Sequence, residues 1–490
     1  MFRLSKSKLL SAQQCPKRLY LEVHFPELAE DDSGTEAVFA IGHDVGRAAQ
    51  GLFPGGILIE HQDDLAEALR ETEAALARGG DLVLFEAAVQ HQGILIRADV
   101  LIRRNGRWRF VEVKSSTSVR EYHLDDAAIQ AWVLRGAGYP IERVSILHID
   151  SGFIYAGDGD YRGLFAEVDV TDQVAMLQQP VPERVAQSRE ILAGPVPDVA
   201  VGRQCKEPFA CPFLSYCGRD GPDFPLSIFS SNWRLRDRLA AAGFRDVREV
   251  PLAQIESARL QRIWRATTSG KPELDPEAAA LLNALDYPRY FLDFETIQFA
   301  VPIWPGTSPY EQLPFQWSCH VQSANGHLDS LAELAMPDAF GNPPMRQVAE
   351  RLLERLEGVP GPILTYSGFE NTTLRALATR YPDLAQRLDA LRNRLVDLLP
   401  IVREHYYHPA MMGSWSIKSV LPTIAPDLDY EDLEDVRDGI SAQVAYREMI
   451  ASGTTAERKA QLERALLVYC ERDTLAMVKL ADFLSAAHFE

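Results

Sequence analysis

Gly93-Ile-Leu-Ile-Arg-Ala-Asp99-Val-Leu-Ile-Arg-Arg-Asn105-Gly106-Arg-Trp-Arg-Phe-Val-Glu112-Val-Lys114 reads as two alternating runs joined by Asn-Gly, a dipeptide that signals a two-residue hairpin loop. That turn fixes the register. With Asn105 and Gly106 as the loop, Arg104 faces Arg107, and the continuing ladder sets Asp99 opposite Glu112, where Cβ atoms are about 4.5–5.5 Å apart. Side chains alternate along a strand, so Lys114 shares the face of Glu112. Opposed carboxylates destabilise a sheet unless something neutralises them. A divalent cation would do so: Asp and Glu supply the hard oxygens that Mg²⁺ or Mn²⁺ takes. The Lys114 ammonium could then orient an attacking water and stabilise charge on a phosphoryl oxygen. A solvated, charged sheet face is the plain alternative.

A second acidic strand, Tyr290-Phe-Leu-Asp293-Phe-Glu295-Thr296, puts two carboxylates on one side, with apolar residues at the alternate positions. Buried paired acids again call for a cation. Later, Tyr469-Cys-Glu-Arg-Asp473 enters a helix-like run, and i, i+4 spacing places Tyr469 and Asp473 on one face. Ile363-Leu-Thr-Tyr-Ser-Gly-Phe-Glu370 reads as a strand followed by a helix start. Glu370 is a candidate ligand there, although Ser367-Gly-Phe-Glu370 also fits a capping box. Asp397, in Leu-Val-Asp-Leu-Leu, is the fallback acid. Trp304, Tyr310, Phe315 and Trp317 are candidates for stacking on bases, with core packing favoured for Phe315 and Trp317. Gly413-Ser-Trp-Ser-Ile-Lys418 offers small donors and one ammonium for phosphate contact, or a simple loop-to-helix entry.

Four of the six cysteines form a pattern: Cys15, then Cys205-Lys-Glu-Pro-Phe-Ala-Cys211-Pro-Phe-Leu-Ser-Tyr-Cys217. Soft ligands in such an array favour zinc or an iron–sulfur cluster. The gaps exceed those of Cys-x₂₋₄-Cys zinc knuckles and the fourth thiol lies far upstream, which favours a 4Fe-4S cluster over zinc. Cys319 and Cys470 have no partner spacing and read as buried core thiols.

The chain of 490 residues, 46% of them hydrophobic, is long enough for more than one core. Proline is dense between Pro195 and Pro225, so a first domain is expected at 1–220, followed by short helices at 221–285 and alternating strands and helices at 286–490. Between Arg234 and Arg265 eight arginines stand against four acids, a strip suited to a phosphate backbone or to a solvated helix face. No apolar run approaches transmembrane length and the start, Met-Phe-Arg-Leu-Ser-Lys-Ser-Lys, lacks a signal-peptide core, so a soluble cytoplasmic protein is expected. The net charge of -19 argues against broad adhesion to nucleic acid, yet it is compatible with a nuclease whose acids hold metal.

Asp99 followed by Glu112-Val-Lys114 resembles the PD-(D/E)XK nuclease core. With the bracketing cysteines, residues 1–220 are similar to RecB-like nucleases such as the iron–sulfur exonucleases of CRISPR adaptation modules and AddB. Cys15-Pro-Lys-Arg-Leu-Tyr20 resembles that family's first-cysteine helix, and Gln130 in Ala-Ala-Ile-Gln-Ala-Trp its glutamine. Leu134 stands where the motif usually has tyrosine, and His43, in Gly42-His-Asp-Val-Gly46, follows its glycine immediately instead of four residues on. Asp293, Glu295, Glu370 and Asp473 with Tyr469 resemble the DnaQ-like, RNase H-fold exonucleases of the DEDDy type over residues 286–490, with glutamate at 370 where aspartate is usual. The two halves together resemble a bacterial family of this same architecture.

The resemblance implies an α/β chain with a PD-(D/E)XK restriction-endonuclease-like domain and an RNase H-like domain joined by a small helical segment. It implies that Cys15, Cys205, Cys211 and Cys217 hold a 4Fe-4S cluster and that Asp99 and Glu112 bind Mg²⁺ or Mn²⁺ with Lys114 assisting. Asp293, Glu295, Glu370 and Asp473 would bind metals while Tyr469 positions water, with Gln130 and Lys418 in supporting roles. The implied partner is DNA or RNA presenting a single-stranded end, degraded 3′→5′ by the second half. The rivals are a nucleic-acid-binding adaptor with degenerate sites and a zinc-stabilised structural protein.

Overall fold

The Asn105-Gly106 turn takes the form its sequence dictates: both residues have positive φ, 49° and 75°, as the mirror-image turn that matches strand twist requires. The computed structural model describes the chain except residues 1–3, 31–32, 62–63, 231, 339–340, 429, 431–432, 434 and 487–490, and gives only the backbone at 33–36. It is a mixed α/β protein. The chain divides into two compact units, residues 1–220 with 299–311, and residues 221–298 with 312–490.

The first unit carries β1 (Leu4–Ser5), β2 (Ile57–Leu58), β3 (Leu82–His91), β4 (Ile94–Arg104), β5 (Arg107–Lys114), β6 (Ile141–Ile149) and β7 (Phe165–Asp169). Their sheet runs β2-β3-β4-β5-β6-β7, with β1 also paired to β4. The β4–β5 ladder runs from Arg104↔Arg107 to Val100↔Val111 in the register expected from the turn, but stops one pair short of the expected Asp99–Glu112 pair. Beyond Val111, β5 leaves β4 and continues beside β6, pairing Glu112↔Ile146 and Lys114↔His148. On the other side, the β3–β4 ladder passes from Phe85↔Val100 to Ala87↔Ala98, with Glu86 between them at φ 55°. Asp99 therefore sits where the sheet opens on both flanks. Under the sheet lies the helix Glu121–Gly136, buried through Ala127, Ala128, Ile129, Ala131, Val133 and Leu134, with Asp126 and Gln130 buried beside them. Leu134, the residue standing in for tyrosine, is core packing.

Residues 299–311 belong to this unit. Tyr161 donates to the Pro302 carbonyl at 3.1 Å, and Tyr310 donates to that of Ser115. Trp304 is buried edge-on against Phe299. Trp304 and Tyr310 are thus held by protein groups and do not form an exposed stacking platform.

The second unit contains β8 (Glu273–Leu274), β9 (Arg289–Ile297), β10 (Leu313–Gln322), β11 (Leu328–Leu334), β12 (Ile363–Thr365), β13 (Leu395–Asp397) and β14 (Tyr406–Tyr407). Five of these form a sheet ordered β11-β10-β9-β12-β13, and β8 pairs separately with β14. β9 is antiparallel to β10 and parallel to β12. The helix Ala456–Ser485 lies on β9 and β10; the Gln316 amide donates to the Leu466 carbonyl at 2.8 Å, and Ser318 and His320 both bond Thr474. Phe315 stacks on Tyr446 at 3.8 Å and Trp317 bonds the Val348 carbonyl, so both are core residues.

Residues 221–285, expected as a connector, share this unit's core: Leu235, Leu239, Leu260 and Ile263 cluster with Phe291, Leu364 and Leu480. Six of the eight arginines in the strip are engaged within the fold, Arg234 and Arg259 over the rings of Trp233 and Trp415. Arg248 pairs with Asp246 and Asp223, Arg265 with Glu273, while Arg238 and Arg262 donate to the carbonyls of Gln254 and Glu404. Among the described residues no helix is long and apolar enough to cross a membrane.

Candidate metal centres

The second unit gathers its acids from three elements. β9 supplies Asp293 and Glu295; Glu370 comes from the first turn of helix Phe369–Arg380, just after β12; Tyr469, Cys470 and Asp473 come from helix Ala456–Ser485. β9 and β12 are parallel with Leu364 beside Phe291, so the C-terminal end of β12, and the helix that follows it, lie near the middle of β9 where Asp293 stands. Asp293 and Glu370 share a hydrogen bond. Tyr430 donates to Asp473 at 2.5 Å, and Tyr469 also bonds it. The Cys470 thiol lies 3.7 Å from Asp293 Oδ2. Lys418 Nζ sits 5.0 Å from the Tyr430 ring centre and 5.2 Å from that of Tyr469, and donates to the Arg437 carbonyl at 2.8 Å.

At Glu370 and Asp397 the structure shows which side chain caps a helix. The helix begins after Gly368, and Ser367 Oγ accepts from Phe369 N, so Glu370 does not form the capping box its sequence permits. Its carboxylate is 2% exposed, with Oε2 lacking a hydrogen-bond partner. Asp397 instead accepts from Ser367 N and Leu399 N, each at 2.9 Å, and caps the next helix.

Burial and crowding hold the second unit's acids away from ionisation. Burial, followed by the Asp473 charge, pushes Glu295 up to about 8. Burial pushes Glu370 up to about 7. Asp293 is driven well above its usual range by burial and by Asp473, Glu295 and Glu370. Asp473 is raised by burial, against the opposing effects of Tyr430 and Lys418. The Cys470 thiol is raised by burial and by Asp293 and Glu295. This is a centre short of positive charge.

The first unit places its own acids differently. Glu112, fully buried, bonds Lys114 Nζ at 2.7 Å, Lys6 Nζ at 3.1 Å and the Gln130 amide at 2.6 Å. Asp126 accepts from Lys114 at 2.5 Å and from Gln130 at 3.0 Å, and pairs with Lys6 at 3.3 Å. Asp99 accepts from Val113 N at 2.6 Å, taking the place of a ladder carbonyl where β5 leaves β4. Burial, then Asp126 and Asp99, pushes Glu112 up to about 7. Burial also works against ionisation of Asp126, but Lys114 and Lys6 outweigh it and hold that carboxyl below the usual range. Three acids here face two ammoniums. His43 is exposed on helix Ser33–Gln50, outside this buried group.

A family model described as a domain of unknown function (DUF2779) matches residues 290–416. That span includes Asp293, Glu295 and Glu370 and stops before Lys418 and the helix bearing Tyr469 and Asp473. A comparison with curated proteins returned no match.

Cys15, Cys205, Cys211 and Cys217 line one pocket, and all four are free of disulfides. Cys15 joins helices Lys6–Gln14 and Pro16–His24, and the Gln14 amide ties this joint to the carbonyls of Gln204 and Phe209, both at 2.7 Å. Burial raises the Cys211 and Cys217 thiols, and charge on Cys205 and Cys15 raises them further. Among the described residues, three metal-ligating atoms lie within 4.8 Å of one another at Asp293–Glu295–Cys470 and at Asp275–Glu277–His405, but no three of these thiols do.

Sequence reasoning missed four residues of these centres. Asp126 was legible from its i, i+4 spacing to Gln130. Lys6 and Tyr430 carry no local pattern, since only the folded chain brings them to the acids, whereas Cys470 stands beside Tyr469 and three residues before Asp473, a helical spacing that places it near the same acids.

Proposed function

We propose that this chain is a metal-dependent nuclease that hydrolyses phosphodiester bonds in DNA or RNA, its second unit a DnaQ-like 3′→5′ exonuclease and its first a RecB-like PD-(D/E)XK nuclease. The reading is carried by one observation, the convergence of Asp293, Glu295, Glu370 and Asp473, with Tyr469 beside Asp473, Glu295 and Asp293. Hard oxygens, an unpartnered buried Glu370 Oε2 and a deficit of positive charge fit Mg²⁺ or Mn²⁺. Bound there, such ions would supply a Lewis acid that lowers the pKa of water and neutralises developing phosphoryl charge. Tyr469, bonded to Asp473, would orient the attacking water, and Lys418 would hold a phosphate oxygen. In the first unit Asp99 and Glu112 would hold the ion, Lys114 would steady the scissile phosphate, and Gln130 would fix Glu112.

For the thiol pocket, a 4Fe-4S cluster fits better than zinc. Tetrahedral Zn–S bonds of about 2.3 Å set thiolates roughly 3.8 Å apart, and no three of these thiols lie within 4.8 Å. The group would staple the Cys15 joint to the 205–217 loop, a structural role.

The test is digestion of end-labelled single- and double-stranded DNA and RNA with Mg²⁺ or Mn²⁺, comparing wild type with Asp99→Ala, Asp293→Ala and the double variant. Loss of 3′→5′ trimming in Asp293→Ala is expected. Trimming that survives this change overturns the second assignment, and absence of cleavage on every substrate favours the adaptor.

A further inference from the structure

Cys470 places a sulfur where four carboxylates already suffice for a hard ion. Cys319, the other cysteine outside the thiol pocket, is fully buried within β10 and bonds the adjacent His320 carbonyl, an ordinary structural thiol. Cys470 is equally buried, but its Sγ lies 3.7 Å from Asp293 Oδ2, and its ligand atom converges with those of Asp293 and Glu295 within 4.8 Å. Two carboxylates and one sulfur at that spacing match the ligand chemistry of a borderline-soft ion, which takes Cys and Asp or Glu together in a four-coordinate shell. Mg²⁺ demands octahedral oxygen and has no use for the sulfur.

We propose that Asp293, Glu295 and Cys470 form a mixed oxygen–sulfur site that binds thiophilic divalent ions, Zn²⁺ and Cd²⁺, ahead of Mg²⁺, so that these ions block the second centre. On binding, the Cys470 S–H bond breaks, the S–metal bond forms and the proton leaves to solvent. Mg²⁺ does not drive that exchange, whereas Zn²⁺ stands above Mn²⁺ in affinity at such sites. The blocking effect rests on the nuclease reading; ion binding does not.

Titration of the whole protein with Cd²⁺, followed by ultraviolet metal–thiolate absorption, separates the two. Subtracting the titration of Cys470→Ser cancels absorption from the thiol pocket, and Cys470→Ala repeats the comparison should the serine variant fail to fold. Wild type is expected to show one additional thiolate band per chain, removed by Zn²⁺ and not by Mg²⁺, and Asp293→Asn is expected to weaken Cd²⁺ binding at least tenfold. The Zn²⁺ concentration that halves nuclease rate should rise at least tenfold in Cys470→Ser, relative to that variant's own zinc-free rate. Identical Cd²⁺ difference spectra in wild type and both variants overturn the proposal, as does Cd²⁺ affinity unchanged by Asp293→Asn. A thiolate band without nuclease activity upholds the site and removes the nuclease reading; activity without the band does the reverse.

Discussion

The two acidic centres meet the same electrostatic problem in opposite ways. In the first unit Lys6 and Lys114 reach into the carboxylates and neutralise most of the charge through ion pairs of 2.5–3.3 Å. In the second, Asp293, Glu295, Glu370 and Asp473 crowd together with Lys418 as an ammonium that favours ionisation of Glu295 and Asp473. One centre largely compensates itself. The other calls for a cation from outside, and it is the one where Asp293, Glu295 and Cys470 converge at metal-ligand spacing.

This contrast predicts opposite responses to mutation. Asp293→Ala should reduce the 3′→5′ exonuclease rate at least about a thousandfold, or about 4 kcal/mol, measured on end-labelled single strands. Folding of the metal-free protein should not suffer. Asp126→Ala in the first unit should instead cost about 3–5 kcal/mol of folding stability, because it leaves two part-buried ammoniums without half of their compensation. Urea unfolding checks this, and an unchanged midpoint would show that the lysines find other partners.

Added metal should act most strongly on the second centre. Mg²⁺ or Mn²⁺ at about a hundred times its Kd there stabilises by about 2.7 kcal/mol, and most of the gain should be lost in Asp293→Asn while persisting in Asp99→Asn. Persistence in Asp293→Asn would move the stronger metal site to the first unit.

The pH dependence sharpens the distinction further. Glu295 keeps its proton up to about 8 in the fold, against 4.5 for an ordinary glutamate. The folded state therefore binds more protons across that window, and metal-free stability falls as pH rises through it, levelling above about 8. Glu295→Gln, which cannot ionise, should remove this part of the slope, so its advantage over wild type in thermal unfolding should widen with pH. Saturating Mg²⁺ should reverse the trend, since metal then replaces the protons. At the small end, His43→Ala should change neither stability nor cleavage by more than about 0.5 kcal/mol.

What the sequence showed was what short-range geometry determines. The Asn105-Gly106 turn carries its own register, and i, i+4 spacing paired Tyr469 with Asp473, so these features were readable without a structure. Glu370 was ambiguous because a capping box and a ligand share one sequence pattern; the helix start at Phe369 rules out the box. Lys6 escaped notice because nothing near it in sequence points to Glu112, 106 residues away. The helical residues 221–285 looked like a linker for a similar reason: their apolar faces find partners such as Phe291 and Leu480 only in the folded unit.

The helix Ala456–Ser485 brings Tyr469, Cys470 and Asp473 to β9 as one rigid piece. Asp293 and Cys470 are 177 residues apart in sequence, so loop closure puts their meeting late in folding. Partly folded chains, whether emerging during synthesis or trapped during refolding, hold the acids of β9 without those of the helix. On the proposed nuclease reading, cleaving power would thus be withheld from immature molecules by topology alone, a built-in proofreading of assembly that requires no inhibitor.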